Sequence, residues 1–301
     1  MFTKLFVTGA TGFIGQHVVN KLLADGHKVI CYTRNQMKVY NMFGDDTIAL
    51  NESEFNVCGK KYLEGCDAVI NLAGEPVAQR WTDTVKENIA ESRIGLTEKL
   101  VTKINSCTKK PQVLISASAV GYYGNAYENI LVEDSEPGQG FLSDVCYDWE
   151  YAASNVDTRL VNLRIGVVLG RNGGALKKML TPFKMCLGGK LGSGNQWMPW
   201  VHVEDIVSII LEAINNQSME GPVNCVSPNS VTNKEFTNTL ASVLSRPAII
   251  PVPEFALKLL FGEGACILLD SQNVKPNTLL KNKFKFKYPE LKSALNNLLK
   301  Q

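Results

Sequence analysis

A glycine-rich turn near the start of the chain, in the segment VTGATGFIG, constrains the fold more than any other feature. Gly9, Gly12 and Gly15 occur at G-x-x-G-x-x-G spacing, after an apolar run that predicts a strand and before a pattern that predicts a helix. Glycine allows a tight turn and lets the backbone approach a ligand, because it has no Cβ. Free N–H groups and the positive end of a helix then bind phosphate. The turn therefore predicts a site for the diphosphate of a dinucleotide, rather than an ordinary glycine-rich turn. The surrounding backbone is supplied by Thr11, Phe13 and Ile14.

The end of the next predicted strand, in the segment HKVICYTR, indicates which dinucleotide is bound. An acidic residue here would accept a hydrogen bond from the 2′-hydroxyl of an NAD ribose. The chain has Thr33 and Arg34 instead, and a guanidinium matches the charge and shape of a 2′-phosphate. We therefore predict NADP(H) rather than NAD(H) as the cofactor. The alternative is that Arg34 is a solvated surface side chain.

Short apolar runs alternate with helical patterns through the first half of the chain. Strands are predicted at segments such as CDAVINLAG, QVLISASAV and TRLVNLRIGVVLG, and a long helical stretch at about 80–107. The alternation predicts an α/β fold, a Rossmann-type doubly wound parallel sheet with a smaller C-terminal α+β substrate lobe. We expect an NADP-binding domain over residues 1–170 and mostly the substrate lobe over 171–301, with segments near 200–226 returning to the first domain.

Charge and cysteine content argue against several classes of function. The net charge is +2, and basic residues do not cluster as nucleic-acid or membrane-surface binding requires. No apolar run is long enough for a transmembrane helix, and the first is too short for a signal peptide. The 8 cysteines are scattered, without C-x-x-C pairs or histidines at metal-ligand spacing. We therefore expect a cytoplasmic protein with reduced thiols and no metal site, which binds neither nucleic acid nor membrane.

Several motifs resemble the extended short-chain dehydrogenase/reductase superfamily. They are TGATGFIG, NLAG at 71–74 and LRIGVVLG at 163–170. The segments SASAVGYYG and GSGNQWMPWVHVEDIV are similar to one branch in particular, the NADP-binding epimerase-family proteins. The similarity runs over essentially the whole chain, so we expect the fold and cofactor of that branch, whose substrates are poorly defined as a class.

The resemblance also implies further residues of the cofactor site. The cofactor ribose would be lined by three residues at the end of the fourth strand, Leu72, Ala73 and Gly74. Asn88 and Arg93 match positions near the cofactor on the following helical stretch, and Val168 would lie near the nicotinamide. For Leu72 and Val168, plain core packing of the side chains is an equal alternative.

The catalytic residues of the superfamily are only partly present. Its reductases and epimerases use a serine or threonine together with Tyr-x-x-x-Lys, whose spacing places tyrosine and lysine on one helix face. In FLSDVCYDWEYAAS no tyrosine is followed by a lysine at that spacing. Ser118 best matches the serine, with Ser116 as its rival. Cys146 replaces either the tyrosine or the lysine, and Glu150 follows one turn later.

These residues leave the proton donor open. A nearby carboxylate would raise the pKa of the Cys146 thiol, and the Cys146–Glu150 pair could serve as acid and base or be inert. Glu150 could instead make a structural hydrogen bond. Tyr122 and Tyr123, in the loop after the fifth strand, more often form a pocket wall than donate a proton.

Two functions follow from these observations. The first is an NADP(H)-dependent oxidoreductase or epimerase of the extended short-chain type, acting on a small carbonyl or sugar-nucleotide-like substrate with an atypical active site. The second is a non-catalytic NADP(H)-binding protein that senses redox state for a partner, which the missing Tyr–Lys pair favours. A homodimer would be in keeping with the superfamily.

Overall fold

The computed structural model of the protein describes residues 3–300. Its strands are β1 (Lys4–Thr8), β2 (Lys28–Tyr32), β3 (Thr47–Leu50), β4 (Ala68–Asn71), β5 (Val113–Ala119), β6 (Ile130–Leu131), β7 (Arg159–Ile165), β8 (Val167–Leu169), β9 (Trp197–Met198), β10 (Trp200–His202), β11 (Gly221–Cys225), β12 (Val231–Thr232) and β13 (Asn273–Val274). Its α-helices are α1 (Phe13–Ala24), α2 (Gln36–Phe43), α3 (Glu52–Leu63), α4 (Asp83–Glu91), α5 (Ile94–Asn105), α6 (Phe141–Ser154), α7 (Gly174–Lys184), α8 (Val203–Asn215), α9 (Asn233–Leu244), α10 (Glu254–Phe261), α11 (Cys266–Leu269), α12 (Asn277–Lys281) and α13 (Leu291–Leu299). Short 3₁₀ turns occupy Val120–Tyr123 and Gly262–Ala265.

A parallel sheet of 7 strands forms the centre of the protein, in the order β11-β7-β5-β4-β1-β2-β3. All of its neighbouring strands run parallel. The order changes direction beside β1, because the chain passes from β1 to β2 on one side and later to β4 on the other. This is the doubly wound Rossmann-type sheet that the alternation of strands and helices predicts, so the predicted fold class is confirmed.

The sheet is covered on both faces, and β1 shows how the strands meet two cores. Leu5 and Val7 belong to the core cluster that includes α1 and α8, whereas Phe6 belongs to the cluster beneath α3 and α5. Successive strand residues point to opposite faces, so a strand covered twice must be apolar throughout. This explains the continuous apolar runs in the sequence.

Several predicted elements differ in extent from those observed. The helical stretch expected at about 80–107 is two helices, α4 and α5, separated at Ser92 and Arg93. The last predicted strand of the first half is also divided, into β7 and β8, at Gly166. A Cβ at Gly166 would lie 2.7 Å from the carbonyl oxygen of Pro199, so glycine permits this close approach. Helices α2 and α3 were not predicted, because neither has a strong apolar periodicity.

The C-terminal part of the chain has its own small core. Its buried residues come from β8, β10, α7, α9 and α13, and Trp200 and Phe236 are the largest of its fully buried side chains. One segment of this half, β11, forms the edge of the main sheet beside β7. The domain boundary at residue 170 stays a prediction. Within residues 3–300, no helix is long and apolar enough to cross a membrane.

Candidate cofactor-binding site

The carboxyl ends of the parallel strands bring the predicted cofactor residues to one edge of the sheet. The glycine turn follows β1, Thr33 and Arg34 follow β2, and the segment 72–74 follows β4. In doubly wound sheets a ligand binds outside this edge, where the strand order reverses. Here the order reverses beside β1, so the glycine turn lies at the position that the topology predicts for a ligand.

The turn between β1 and α1 is a tight one. Gly9 has φ +69°, and its carbonyl oxygen accepts a hydrogen bond of 2.9 Å from the Gly12 amide. Helix α1 has no side-chain cap and no acidic residue in its first turn. The first amides of a helix have no acceptor within the helix, and here neither a capping side chain nor a carboxylate competes for them. They are therefore available to an anion.

The glycines cannot be replaced without filling space that the backbone occupies. A Cβ at Gly9 would lie 2.6 Å from the carbonyl carbon of Leu72, and a Cβ at Gly15 would overlap the carbonyl oxygen of Gly9. The ring of Phe13 packs against Gly170 and Gly173 in the same manner. The glycine turn is thus held closely against the end of β4 and the loop after β8. Its backbone amides can approach a diphosphate because the glycines carry no side chains.

The end of β2 presents positive charge beside this turn. The side chain of Arg34 is 92% exposed, and its Nη1 lies 3.8 Å from the Glu75 carboxylate. Thr33 anchors the loop, because its hydroxyl donates to the Asn35 carbonyl at 3.2 Å. Lys38 reaches back to the turn, where its Nζ donates to the Thr11 carbonyl at 3.4 Å. An exposed pair at this distance holds Arg34 weakly, so its guanidinium can turn to a phosphate.

Buried polar side chains position the segment after β4. The Thr8 hydroxyl donates to Asn71 Oδ1 at 2.6 Å and accepts from the amides of Leu72 and Ala73 at 3.1 and 3.2 Å. Asn71 Nδ2 in turn donates to the Thr97 hydroxyl at 2.9 Å. These bonds join β1, β4 and α5, and so fix Leu72 and Ala73 directly against the glycine turn.

The guanidinium of Arg93 packs against the backbone at the end of β4. A Cβ at Gly74 would lie 3.0 Å from Arg93 Cζ. Arg93 Nη2 donates to the Glu75 carbonyl at 2.9 Å and Nη1 to the Ile89 carbonyl at 3.1 Å, while the group lies 5.3 Å from the centre of the Trp149 ring. Burial lowers the pKa of Arg93. Arg93 therefore stands at the same edge as the glycine turn, with a role in shaping this loop.

The remaining predicted cofactor residues lie at the margins of this arrangement. Asn88 is exposed on α4. Val168 lies in β8 opposite Val201, and only 9% of it is exposed. Its carbonyl oxygen would lie 2.7 Å from a Cβ at Gly174. The side chain of Val168 is thus packed in the core, which is the alternative that the sequence left open.

Ser118 and Glu150, two of the predicted catalytic residues, are in direct contact. The Ser118 hydroxyl donates to Glu150 Oε1 at 2.6 Å. The same carboxylate accepts from Arg164 Nε and Nη2, both at 2.9 Å. Burial lowers the pKa of Arg164, but the hydrogen bonds and charge of Glu150 outweigh burial and raise it overall. The Glu150 carboxylate is therefore fixed in position by Arg164.

Cys146 lies one helical turn before Glu150 on α6, beneath the loop after β5. Its Sγ would be 3.8 Å from a Cβ at Gly121. Burial, and then the charge of Glu150, raise the pKa of the Cys146 thiol to about 12. The thiol is therefore protonated at neutral pH. This environment does not favour Cys146 as a base, and its catalytic assignment stays a prediction.

The loop tyrosines also belong to this buried group. The Tyr123 hydroxyl donates to Asn224 Oδ1 at 2.7 Å and accepts from Arg164 Nη1 at 2.9 Å, and burial raises its pKa to about 12. The ring of Tyr122 stacks on the Arg164 guanidinium, 3.6 Å from its Cζ. Both tyrosines are buried, and their role as a pocket wall stays a prediction. Within residues 3–300 no cluster of acidic, histidine or cysteine side chains could hold a metal ion.

Sequence reasoning missed the buried residues that support the site. Arg164, Thr8, Asn71 and Thr97 carry most of the hydrogen bonds just described, yet none was singled out. A usable signal existed for two of them, since Arg164 and Asn71 are polar residues within otherwise apolar strand patterns. A buried polar side chain requires partners, which points to a hydrogen-bond network.

Fold and site together define a Rossmann-type dinucleotide-binding protein. Residues 5–225 match the model of the NAD dependent epimerase/dehydratase family, and residues 252–298 match a domain of unknown function. This protein belongs to the NAD dependent epimerase/dehydratase family. The extended short-chain dehydrogenase/reductase resemblance, and the epimerase-family branch within it, are confirmed.

Individual relatives match over nearly the whole chain. The chloroplastic homologue of epimerase family protein SDR39U1 from Arabidopsis thaliana is 44% identical, over 97% of this chain and 86% of its own length. Epimerase family protein YfhF from Bacillus subtilis is 37% identical, over 98% of each chain. The crystal structure of human epimerase family protein SDR39U1 (isoform 2) with NADPH has a TM-score of 0.90 at 35% identity and covers 99% of both chains.

Proposed function

We propose that this protein binds NADP(H) and acts as an oxidoreductase or epimerase of the extended short-chain type on a small carbonyl or sugar-nucleotide-like substrate. The observation that carries the proposal is the uncapped glycine turn at the reversal of the sheet, with the exposed Arg34 beside it. The human relative of similar fold was crystallised with NADPH, which supports the choice of cofactor.

The residues present fit this cofactor, because helix α1 begins at the glycine turn without a capping side chain and without an acidic residue in its first turn. The amides at the start of α1 would bind the diphosphate, and the Arg34 guanidinium would pair with the 2′-phosphate. Lys38, which already reaches the turn, adds a second positive charge. Leu72, Ala73 and Gly74 would line the ribose. When bound, NADP(H) supplies or accepts a hydride at its nicotinamide.

Ser118 is the polar side chain of the predicted catalytic group that stands at the end of β5. Glu150 accepts its proton in a hydrogen bond, and Arg164 fixes Glu150, so the Ser118 oxygen is held in one orientation. Such a hydroxyl can orient a carbonyl or hydroxyl of a substrate. We assign Glu150 and Arg164 as positioning residues, acting through Ser118.

Cofactor choice is tested by calorimetry with NADPH and NADH. Wild-type protein should prefer NADPH, and Arg34→Ala should lower NADPH affinity by about ten- to a hundredfold, because it removes a charge-assisted phosphate contact. NADH affinity should stay the same. Arg246→Ala, which removes an exposed arginine beyond α9, is the matched control. Absence of NADPH binding by the wild-type protein would defeat the proposal.

Activity is tested by incubating the protein and NADPH with a panel of aldehydes, ketones and nucleotide sugars, and by following both cofactor oxidation and epimer formation. Ser118→Ala should lower kcat by a factor on the order of a hundred if the hydroxyl orients the reacting group. Glu150→Gln keeps the shape of the side chain and should have a smaller effect. No turnover of any compound, together with tight NADPH binding, would favour the second function.

The second candidate is a non-catalytic NADP(H)-binding protein that senses redox state. One observation favours it, namely that none of the predicted catalytic residues is free to react. Ser118 and Glu150 are engaged in buried contacts, and the Cys146 thiol is kept protonated. A sensor must differ between its NADPH and NADP⁺ complexes. Hydrogen exchange of the two complexes should then show a difference at the loops around the site, and identical exchange would exclude this function.

A further inference from the structure

A cavity of about 630 Å³ lies between α10, α11 and the loop before β9. Asn125, which follows the 3₁₀ turn after β5, forms part of its wall. Part of the cavity wall therefore comes from the loop that follows β5, the strand that carries Ser118. None of the residues that we propose for the cofactor lines it, so it is a separate space on the side of the C-terminal lobe.

The charged residues that line this cavity are mostly acidic. They are Glu254, Lys258, Glu263 and Asp270, and the lining includes no arginine. The one lysine is already paired, since Lys258 Nζ lies 2.6 Å from Glu254 Oε1. Glu263 is paired with Lys86, which comes from α4. After these pairs are formed, the negative charge of Asp270 remains.

Asp270 is a half-buried carboxylate without a counter-ion. Within residues 3–300 its side chain forms no salt bridge and accepts no hydrogen bond. Burial raises its pKa, and no neighbouring positive charge opposes that effect. A partly desolvated carboxylate is costly unless it is paired, so Asp270 offers a site where a cation would be stabilised.

Gln196 adds a second acceptor to the same cavity and is itself only 8% exposed. Its Nε2 donates to the carbonyls of Leu191 and Leu268, at 3.0 Å each, so both amide hydrogens are used. Its Oε1 has no donor among the described residues. An amide oxygen has two lone pairs that can accept hydrogen bonds. This one lies in the cavity wall and is available to a ligand that donates N–H groups.

We propose that this cavity binds the cationic amine end of the substrate, with the ammonium paired to Asp270 and hydrogen-bonded to Gln196. The assignment rests on the proposed function, because it takes the bound amine to be the substrate of the NADP(H)-dependent reaction. It narrows the substrate class to small amine-bearing compounds. A nucleotide diphosphate would meet no unpaired positive charge in this cavity, so a sugar nucleotide is disfavoured there.

The test uses the full-length protein and two probes of equal length, 1,4-diaminobutane and the neutral 1,4-butanediol, titrated with and without saturating NADPH. The diamine should bind at least about tenfold more tightly than the diol, because only the diamine forms charge-assisted hydrogen bonds. Asp270→Asn keeps the shape of the side chain and should weaken diamine binding by about tenfold or more. Asp270→Lys should abolish it. Asp45→Asn, which removes an exposed carboxylate before β3, should change nothing.

Equal affinity for the diamine and the diol would overturn the inference. So would unchanged diamine binding in Asp270→Asn, or competition for the cavity by UDP-glucose with higher affinity than the diamine. NADPH affinity is measured for each variant separately. If the wild-type protein binds NADPH normally but does not bind the diamine, this inference alone is refuted, whereas absence of NADPH binding by the wild-type protein refutes the proposed function.

Discussion

Arg164 and Glu150 form a two-point salt bridge inside the protein, with Nε–Oε1 and Nη2–Oε2 both at 2.9 Å. Their side chains are 4% and 12% exposed. The pair joins β7 to α6 directly behind Ser118. Because Arg164 also donates to Tyr123 and to the Glu133 carbonyl, one guanidinium holds together several loops at the edge of the sheet.

Removing one partner of this pair should destabilise the protein strongly. We expect Glu150→Ala to lower the free energy of unfolding by about 3–5 kcal/mol, because the Arg164 charge stays buried without a counter-ion. Urea denaturation measures the change. Asp157→Ala is the matched control, since it breaks the ion pair between Asp157 and Lys110. The Asp157 side chain in that pair is 63% exposed. The control should lose less than about 1 kcal/mol. If Glu150→Ala also lost less than about 1 kcal/mol, the argument that the pair is buried and costly to break would be wrong.

Gly9→Ala should abolish NADPH binding, or fold poorly, for two reasons. Its φ of +69° disfavours a side chain, and a Cβ would lie 2.6 Å from backbone atoms of Leu72. Gly221→Ala separates the two effects, because Gly221 has φ +74° but nothing within 4 Å of its Cβ position. The control should lose about 1 kcal/mol of stability from backbone strain and keep its NADPH affinity. Calorimetry with NADPH and thermal unfolding of both variants provide the measurements. If Gly9→Ala bound NADPH as Gly221→Ala does, the close approach of the turn to β4 would be irrelevant to binding.

Cys146 should resist alkylation in the folded protein. Its pKa of about 12 leaves almost no thiolate near neutral pH, and the thiolate is the reactive species. Treatment with iodoacetamide at about pH 8, followed by peptide mass spectrometry, should modify the partly exposed Cys186 well before Cys146. Cys146→Ala should also leave NADPH affinity unchanged. Rapid modification of Cys146 would instead indicate a reactive thiol at the site.

Acid should destabilise the protein through His202, which is fully buried. Burial lowers its pKa from 6.5 to about 4, although the charge of Glu204 opposes the shift. The unfolded chain therefore binds a proton more readily than the folded protein, so stability falls as the pH drops from about 6.5 to about 4. The lowered pKa of His202 therefore corresponds to a loss of roughly 3 kcal/mol in the free energy of unfolding over this pH range. The raised pKa of Asp205 acts in the opposite sense at the low end.

The pH dependence is measured by urea denaturation at several pH values. His202→Asn supplies an amide oxygen that can cap α8 in place of His202 Nδ1, which accepts from the Glu204 amide at 3.1 Å, and it should flatten the profile. A slope that persisted in His202→Asn would assign the acid sensitivity to other groups.

The sequence was sufficient for the fold class and the cofactor turn, since both depend on local patterns. Glycine spacing determines where the backbone can turn tightly, and apolar periodicity determines which faces are buried. Gly9, Gly12 and Gly15 and the strands around them were therefore predictable. The position of Arg34 just after β2 was predictable as well, because the end of β2 follows the turn at a nearly constant distance along the chain.

The partners of Ser118 were decided by tertiary structure alone. Glu150 on α6 and Arg164 on β7 are separated from it by tens of residues, and only the pairing of β5 with β7 brings these side chains together. The sequence presented Cys146 and Glu150 as possible replacements for a missing dyad, whereas burial and the charge of Glu150 determine the protonation of Cys146. Local periodicity carries no information about such long-range neighbours, because a side chain's pKa depends on what surrounds it in space.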